Sequence, residues 1–267
     1  MREVMEAQAR IRLTDVARWK FGVTLSCLIA AVVFAFVSAE INVITAAKSM
    51  PELFAFFGNN FLPPNFSAVR NYIPLLFQTV IFAIMGTYIS AVLAFVFGLL
   101  ISPKTNHIKW LRALVLFVMS FLRNVPFLVW AALLVYIFGI GNMVGLIALI
   151  FATLGFLSRS YAESINEIAD SKFEALTACG GSHLQILIHG LIPEFVPSWI
   201  NWTLFSFEIN IRASVILGMV GAGGVGIMIQ TNIRLFKYRE AFALILVLIV
   251  LIVATELGTS KIRKHIK

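Results

Sequence analysis

Arg123, Glu208 and Arg212 are charged residues that lie well inside long apolar stretches of this 267-residue sequence. A charge at membrane depth is costly, and it is retained where it faces protein, water or a transported ion. Glu208 and Arg212 are four residues apart, so on a helix they share one face within reach of an ion pair. Two interpretations follow. The pair is a structural lock between helices, or the arginines supply the fixed positive charge that a hydrated anion needs along its path.

Arg123 belongs to the stretch 123–126, Arg-Asn-Val-Pro, which interrupts an apolar run. Pro126 has no amide hydrogen and its ring clashes with the carbonyl of Leu122, which predicts a kinked helix. An unwound turn at membrane depth is tolerated only where it faces protein or water. We therefore predict a translocation pathway lined by Arg123, Asn124, Pro126, Glu208 and Arg212.

A second candidate site is the polar stretch 174–193, which separates two apolar segments and must lie at a membrane face. The pattern predicts two short helices joined at Gly180 and Gly181, since glycine enters the left-handed region without steric cost. Ser171 is placed to cap the first helix and Ser182 the second. Small residues followed by an apolar stripe are typical of a helix that docks into a partner's groove. The predicted docking residues are Glu174, Ala175, Ala178, Gly180, Gly181, Leu184 and Pro193.

Gly221, Gly223 and Gly226 match the G-x-G-x-x-G pattern. A dinucleotide site requires that pattern between a strand and a helix, whereas here it follows an apolar helix. We therefore predict a close-packed turn that forms an outer gate at Gly221, Gly223 and Gly224. The sequence contains no G-x-x-x-x-G-K-[ST] phosphate-binding loop, so ATP, if used, must be bound by another subunit.

Composition indicates how these residues are positioned. Hydrophobic residues make up 60% of the chain and charged residues 13%, and the mean hydropathy is +0.93; soluble proteins have about a quarter charged residues. The predicted fold is an all-α polytopic membrane protein with about six transmembrane helices. The predicted spans are 21–39, 72–101, 110–138, 143–161, 196–220 and 241–257.

The net charge of +8 is explained by topology and not by nucleic-acid binding. Of the 21 lysines and arginines, 14 fall on the side of the termini and of the 174–193 loop, and five on the other. Cytoplasmic loops are richer in these residues, so both termini and the loop are predicted to be cytoplasmic. The cluster between Arg234 and Arg239 runs against this trend. Val37-Ser38-Ala39 is compatible with signal-peptide cleavage, but the long, partly acidic leader favours a retained helix.

The remaining polar residues predict no metal, disulfide or catalytic centre. The four histidines lack metal-ligand spacing, and Cys27 and Cys179 lie in different kinds of segment. A membrane enzyme would need converging acid, base or metal-binding groups at one depth, which the sequence does not show. A passive channel is the other alternative, but it would not need a docking loop.

The 174–193 stretch resembles the EAA loop of ABC importer permeases, whose pattern is Glu-Ala-Ala, three residues, Gly, nine residues, Ile-x-Leu-Pro. Glu174, Ala175, Gly180 and Pro193 fall on that pattern. The departures are Leu176 for the second Ala, Gly190 for Ile and Ile192 for Leu. In that family the loop docks into a cleft of the ATPase subunit. The resemblance therefore implies a type I ABC importer permease fold in a multi-pass subunit of the bacterial plasma (inner) membrane.

Three further stretches, 122–129, 161–170 and 207–226, resemble permeases of the phosphonate branch, and the first also resembles methionine importers. The similarity covers about residues 72–260. It implies import of phosphonate or a related oxyanion such as phosphite, with methionine or another small solute as the alternative. It also implies a permease homodimer, two ATPase subunits that bind ATP and Mg, and an external solute-binding protein.

The expected organisation has four parts. They are a cytoplasmic tail at 1–20, a first transmembrane helix with an external interfacial segment at 21–70, a transporter domain at 71–260 with its coupling loop at 170–193, and a basic cytoplasmic tail at 261–267.

Overall fold

A computed structural model describes residues 2–39, 43–168 and 170–266, with the side chains of 2–17 and of a few other positions, Ala175 among them, outside that description. Every regular element in the described part is a helix. The chain divides into two compact units, residues 1–59 and 60–267. The prediction of an all-helical polytopic membrane protein is confirmed.

The first unit contains α1 (Arg2–Ser38) and most of α2 (Val43–Phe61). The predicted span at 21–39 is not a separate element, because it continues the helix that the polar residues 2–20 begin. The segment Arg18–Ser38 is long and apolar enough to cross a membrane. Helix α2 has a marked apolar face with exposed side chains that include Met50, Leu53 and Phe54, as an interfacial segment requires.

The second unit contains the remaining helices, and a π-helical turn (Ile186–Leu191) joins α8 to α9. They are α3 (Val69–Ile101), α4 (Lys109–Asn124), α5 (Phe127–Phe138), α6 (Asn142–Glu167), α7 (Asp170–Ala178), α8 (His183–Gln185), α9 (Ile192–Met219), α10 (Val225–Arg234) and α11 (Tyr238–Ile266). The predicted 261–267 tail is thus, over its described residues, a helical extension of α11.

Within the described residues, four helices are long and apolar enough to span a membrane, or five if the bent pair of α4 and α5 counts as one span. The predicted count of about six is therefore higher than these criteria give. The difference is α9, whose 28 residues are long enough but include Glu208, Asn210 and Arg212.

The kink predicted at Pro126 is a complete break. Helices α4 and α5 meet at 88°, so the predicted single span 110–138 is two short helices. Val125 and Pro126 both have extended backbone, with ψ of 119° and 141°. Proline donates no backbone hydrogen bond, and it disfavours helical geometry in the residue before it. The helical hydrogen bonding therefore stops at this point, and a new helix begins at Phe127.

The centre of the second unit is the contact between α3 and α6. Small side chains allow helix backbones to approach closely, and a methyl group at Gly98 would overlap the Cβ of Tyr161. The buried face of α3 consists largely of small residues: Thr79, Ala83, Gly86, Thr87, Ser90, Ala91, Ala94 and Gly98.

A buried hydrogen-bond network ties these two helices to α9. The Asn210 amide donates to Oγ1 of Thr87 at 2.8 Å and accepts from Oγ1 of Thr153 at 2.9 Å. Such bonds between membrane helices average about 0.6 kcal/mol. Their main effect here is to fix the rotation of α9, and hence the directions in which Glu208 and Arg212 point.

Candidate functional site

Arg123 lies at the break between α4 and α5, between two cavities. Its backbone is pressed against α6, because a Cβ atom on Gly155 would meet the Arg123 amide nitrogen at 2.6 Å and the Met119 carbonyl at 2.7 Å. Only glycine at position 155 permits this approach. Arg123, Asn124 and Pro126 are all exposed in the single chain.

The first cavity has a volume of about 220 Å³ and joins Arg123 to polar groups of α6 and α9, namely Thr153, Ser206 and Asn210. The Oγ of Ser206 is buried and has no hydrogen-bond partner in the described residues. An unpaired buried hydroxyl costs free energy, and a hydrogen-bonding ligand or water in the cavity would remove that cost. The other lining residues are mostly apolar.

The second cavity, of about 200 Å³, is polar and includes Ser120, Asn124, Arg159 and Glu163. Arg159 and Glu163 form an ion pair one helical turn apart, with 2.5 Å between Nε and Oε1. Arg123 forms no ion pair with any described residue, so it is the uncompensated cation at this position.

The expected ion pair between Glu208 and Arg212 is not present. Glu208 instead pairs with Arg263 and accepts a hydrogen bond from Thr259, both on α11. The cause is the helical extension of α11, which brings the basic end of the chain beside α9. Glu208 is thus held at a helix–helix contact, and its predicted pathway role stays a prediction.

Arg212 is exposed and pairs with no described acidic residue. It lies on an exposed stripe of α9 with Phe205, Ile209 and Ile216. Ile209 also lines the cavity beside Arg123. The stripe therefore continues from that cavity along α9, and Arg212 is one turn further along it.

The docking loop has the predicted turn. Gly180, with φ of +80°, closes α7: its N–H donates to the Thr177 carbonyl at 2.9 Å, and that of Gly181 to the Leu176 carbonyl at 3.1 Å. This pair of bonds is the Schellman ending that glycine favours. Glu174, Ala178 and Leu184 are exposed, while the side chain of Ala175 lies outside the described part. The ATPase-docking role of these residues stays a prediction.

The second half of the loop is not the separate short helix that was predicted, because it continues into α9. Ser182 caps α8 as expected, since its Oγ accepts from the Gln185 amide at 3.4 Å and its own N–H donates to the Gln185 side chain at 2.8 Å. Beyond it, the chain passes through the π-helical turn into α9 without a break, and Pro193 lies in the first turn of α9. Ser171 does not cap α7, because that helix already begins at Asp170.

Two ion pairs fix the loop to the helix ends around it. Lys172 of α7 pairs with Glu194 at the start of α9, at 2.6 Å. Lys104, in the loop between α3 and α4, pairs with Asp170 at 2.7 Å and also donates to the Ile168 carbonyl at the end of α6. Lys104 therefore holds together the end of one helix and the start of the next, where the docking loop leaves the membrane domain.

We expect Lys104→Gln to weaken the mechanical link between loop and membrane helices. Because Lys104 is 18% exposed and Asp170 78% exposed, the interaction is worth about 1 kcal/mol. Losing it should lower the amount transported per ATP hydrolysed by about fivefold. The measurement is uptake and ATP hydrolysis in the same proteoliposomes. Lys104→Arg should retain most of the coupling, and Lys109→Gln, which changes an exposed lysine nearby, should have no effect. An equal loss in the Lys109 control would contradict the assignment.

The predicted glycine turn is close-packed. Gly221, Gly223 and Gly224 all have positive φ, and a methyl group on Gly145 would overlap the carbonyl of Ala222. The turn is fixed to α3 because the amide of Val225 donates to Oγ1 of Thr79 at 3.0 Å. The role of this turn as an outer gate stays a prediction. In the described residues, no three His, Cys, Asp or Glu side chains could hold a metal ion.

Sequence reasoning missed Asn210, its threonine partners and Lys104. Asn210 could have been found, since it is a polar residue in an apolar helix, two positions from each of Glu208 and Arg212. Lys104 gives no local signal, because its partners Ile168 and Asp170 are far along the chain.

Residues 94–265 match the family described as binding-protein-dependent transport system inner membrane component. The chain is 30% identical to the phosphite transport system permease protein PtxC of Stutzerimonas stutzeri, over 77% of this chain and 75% of that protein. It is 31% identical to the phosphate-import permease protein PhnE of Mycolicibacterium smegmatis, over 76% of this chain and 38% of that protein.

Among solved structures, the fold resembles an inward-facing MetNI methionine ABC transporter chain, with a TM-score of 0.66. The likeness covers 73% of this chain and 96% of the other at 19% identity, so it bears on the fold alone.

Proposed function

Because the chain belongs to the family of binding-protein-dependent transport system inner membrane components, and is therefore a non-catalytic, multi-pass permease subunit of a bacterial ABC importer, we propose that it carries phosphonate or a related phosphorus oxyanion such as phosphite. Partner ATPase subunits bind ATP and Mg and dock on the 174–193 loop. An external solute-binding protein delivers the anion. The family match and the named relatives support this assignment.

The observation that carries the choice of substrate is the uncompensated cation Arg123 beside a cavity with hydrogen-bonding groups. A phosphorus oxyanion presents several acceptor oxygens, and a guanidinium presents donors in a planar fork that matches them. The Ser206 hydroxyl and the Thr153–Asn210 pair line the same cavity. Arg212, exposed on the stripe that leads from it, supplies a second cation.

Methionine is the alternative substrate. It is a zwitterion with an apolar tail, so it needs a cation for its carboxylate but does not need two along its path. The overall fold does not separate the two substrates, because the structural likeness to a methionine transporter is at low sequence identity.

We also propose that two copies form the pathway between them. Arg123 and the α9 stripe of Arg212 are exposed in the single chain, which would leave a charged path open to lipid. A second copy with the same surface would enclose it and would supply the second docking loop for a paired ATPase. One permease per two ATPases in a mass measurement would contradict this proposal.

The test is ATP-dependent uptake by the reconstituted transporter with its solute-binding protein, using labelled phosphite, methylphosphonate and methionine. Arg123→Gln should lower oxyanion uptake by about tenfold or more, since a hydrogen bond to a charged group is worth about 1.5–3 kcal/mol. Arg123→Lys should retain part of the activity. Arg112→Gln, on the same helix but outside both cavities, is the matched control. Uptake of methionine alone, or full oxyanion uptake by Arg123→Gln, would overturn the proposed substrate.

A further inference from the structure

The second, polar cavity extends from Arg123 along α6. Arg123 lines both cavities, and the second is also lined by Arg159 and Glu163. Gly155, where α6 touches the Arg123 backbone, precedes Arg159 by one helical turn and Glu163 by two. At a rise of about 1.5 Å per residue, each of these steps is about 6 Å along the helix axis. Since α6 ends at Glu167, directly before the docking loop, the cavity leads from Arg123 toward the predicted cytoplasmic side.

The second cavity has the size and chemistry to hold a small anion. Its volume of about 200 Å³ is room for several water molecules, and therefore for a small oxyanion with part of its hydration shell. The Ser120 hydroxyl and the Asn124 side-chain amide line it beside the charged pair, and both groups can donate hydrogen bonds. An anion that leaves Arg123 in this direction thus meets further donors.

The ion pair in this cavity contributes little to the stability of α6. Arg159 and Glu163 are 42% and 56% exposed, and exposed pairs of this kind are weak. Their order is also the less favourable one, because an acidic residue four positions before a basic one stabilises a helix better than the reverse. Only the Nε–H of Arg159 is bonded, to Oε1 of Glu163 at 2.5 Å, and its other N–H groups bond to no described residue. The guanidinium can therefore bind a second anion or exchange its carboxylate for one.

We propose that Arg159 and Glu163 form an inner anion site, the last binding site before the cytoplasm. Arg159 receives the phosphorus oxyanion from Arg123, and the Glu163 carboxylate competes for the same guanidinium and so releases the anion. A transport path needs sites that bind strongly enough to admit the ion and weakly enough to let it leave. Arg123 has no described ion-pair partner, whereas Arg159 has a competitor beside it. This inference rests on the proposed function, since it takes the oxyanion as the transported substrate.

Removal of the competing carboxylate should make the inner anion site hold the anion. The complete transporter is reconstituted in proteoliposomes that enclose ATP, with its solute-binding protein and labelled phosphite outside. Unlabelled phosphite is enclosed at graded concentrations, and the internal concentration that halves the initial uptake rate is measured. In Glu163→Gln this concentration should fall by about tenfold, the size expected when one charge-assisted interaction changes. The maximal uptake rate should fall as well, because release becomes slower.

Three further variants separate this role from a structural one. Arg159→Gln should raise the half-inhibitory internal concentration, and the Arg159→Gln/Glu163→Gln double variant should lose the extra sensitivity of Glu163→Gln. Glu167→Gln, which makes the same charge change one turn further along α6 and lines neither cavity, should behave as the wild type. Thermal unfolding midpoints should stay close to wild type in all of them.

An unchanged half-inhibitory concentration in Glu163→Gln would overturn the inference. An equal shift in Glu167→Gln would also overturn it, because it would identify a general effect of surface charge. So would equal losses of thermal stability in the two single variants that the double variant restores together with normal uptake, since the pair would then be a helix support. Absence of phosphite uptake by the wild type would instead contradict the proposed function.

Discussion

Replacing Gly190 with isoleucine is expected to disrupt the docking loop and to uncouple ATP hydrolysis from uptake. A Cβ atom on Gly190 would lie 2.5 Å from Cδ1 of Leu176, so the longer isoleucine side chain would force the Leu176 side chain away from the π-helical turn. Overpacking of this kind costs about 1–3 kcal/mol. The EAA pattern has alanine where this chain has Leu176 and isoleucine where it has Gly190. The two departures therefore compensate each other, with one large and one small residue exchanged between facing positions.

The compensation predicts a rescue. Leu176→Ala alone should leave a gap and Gly190→Ile alone a clash, whereas the double variant should recover most of the transport per ATP. The coupling free energy between the two sites should be about 1–2 kcal/mol, within the range for residues in contact. Uptake and ATP hydrolysis are measured together in proteoliposomes, with thermal unfolding as the check on folding. Gly258→Ile, which adds the same side chain where no atom lies within 4 Å, is the control. Additive effects in the double variant would refute the compensation.

The features that sequence reasoning predicted correctly depend on residues close together in the chain. The turn at Gly180 is fixed by hydrogen bonds that span six residues, and the break at Pro126 follows from the covalent structure of proline. The apolar composition likewise indicates a membrane protein without any tertiary information. In each case the cause lies within a few consecutive residues or in the whole-chain average, so an isolated sequence contains it.

The features that could not be predicted depend on which helices pack against each other and on where along their lengths they meet. The partner of Glu208 was expected within the same helix, but it is Arg263, because α11 extends beyond its apolar segment and brings that residue alongside α9. The Asn210 network joins three helices, and the match of Leu176 to Gly190 depends on how α7 folds back. None of these pairings leaves a periodic pattern, since each depends on how separate helical segments are arranged in the fold.

Glu208→Gln is expected to destabilise the permease, because it leaves the Arg263 charge without its partner at the α9–α11 contact. Removing one member of a buried ion pair costs about 3–5 kcal/mol, and the lower end applies here since Arg263 is 31% exposed and Glu208 12%. Adding Arg263→Gln should restore much of the lost stability, because neither ion then remains unpaired. Thermal unfolding of the purified permease in detergent measures both effects.

Arg212→Gln should have the opposite profile, with stability close to wild type and oxyanion uptake lowered several-fold. Arg212 is exposed and unpaired among the described residues, so its removal strands no buried partner, while the α9 stripe loses its cation. Comparing Arg212→Gln with Glu208→Gln also distinguishes the two interpretations of the sequence, which are a structural lock between helices and fixed positive charge along an anion path. If Arg212→Gln destabilised the protein as much as Glu208→Gln did, and the Glu208→Gln/Arg212→Gln double variant regained that stability, Arg212 would be a packing partner. Suppose instead that the Glu208→Gln/Arg263→Gln variant has wild-type stability and wild-type uptake, while Arg212→Gln keeps its stability but loses uptake. The anion path would then include Arg212 and exclude Glu208.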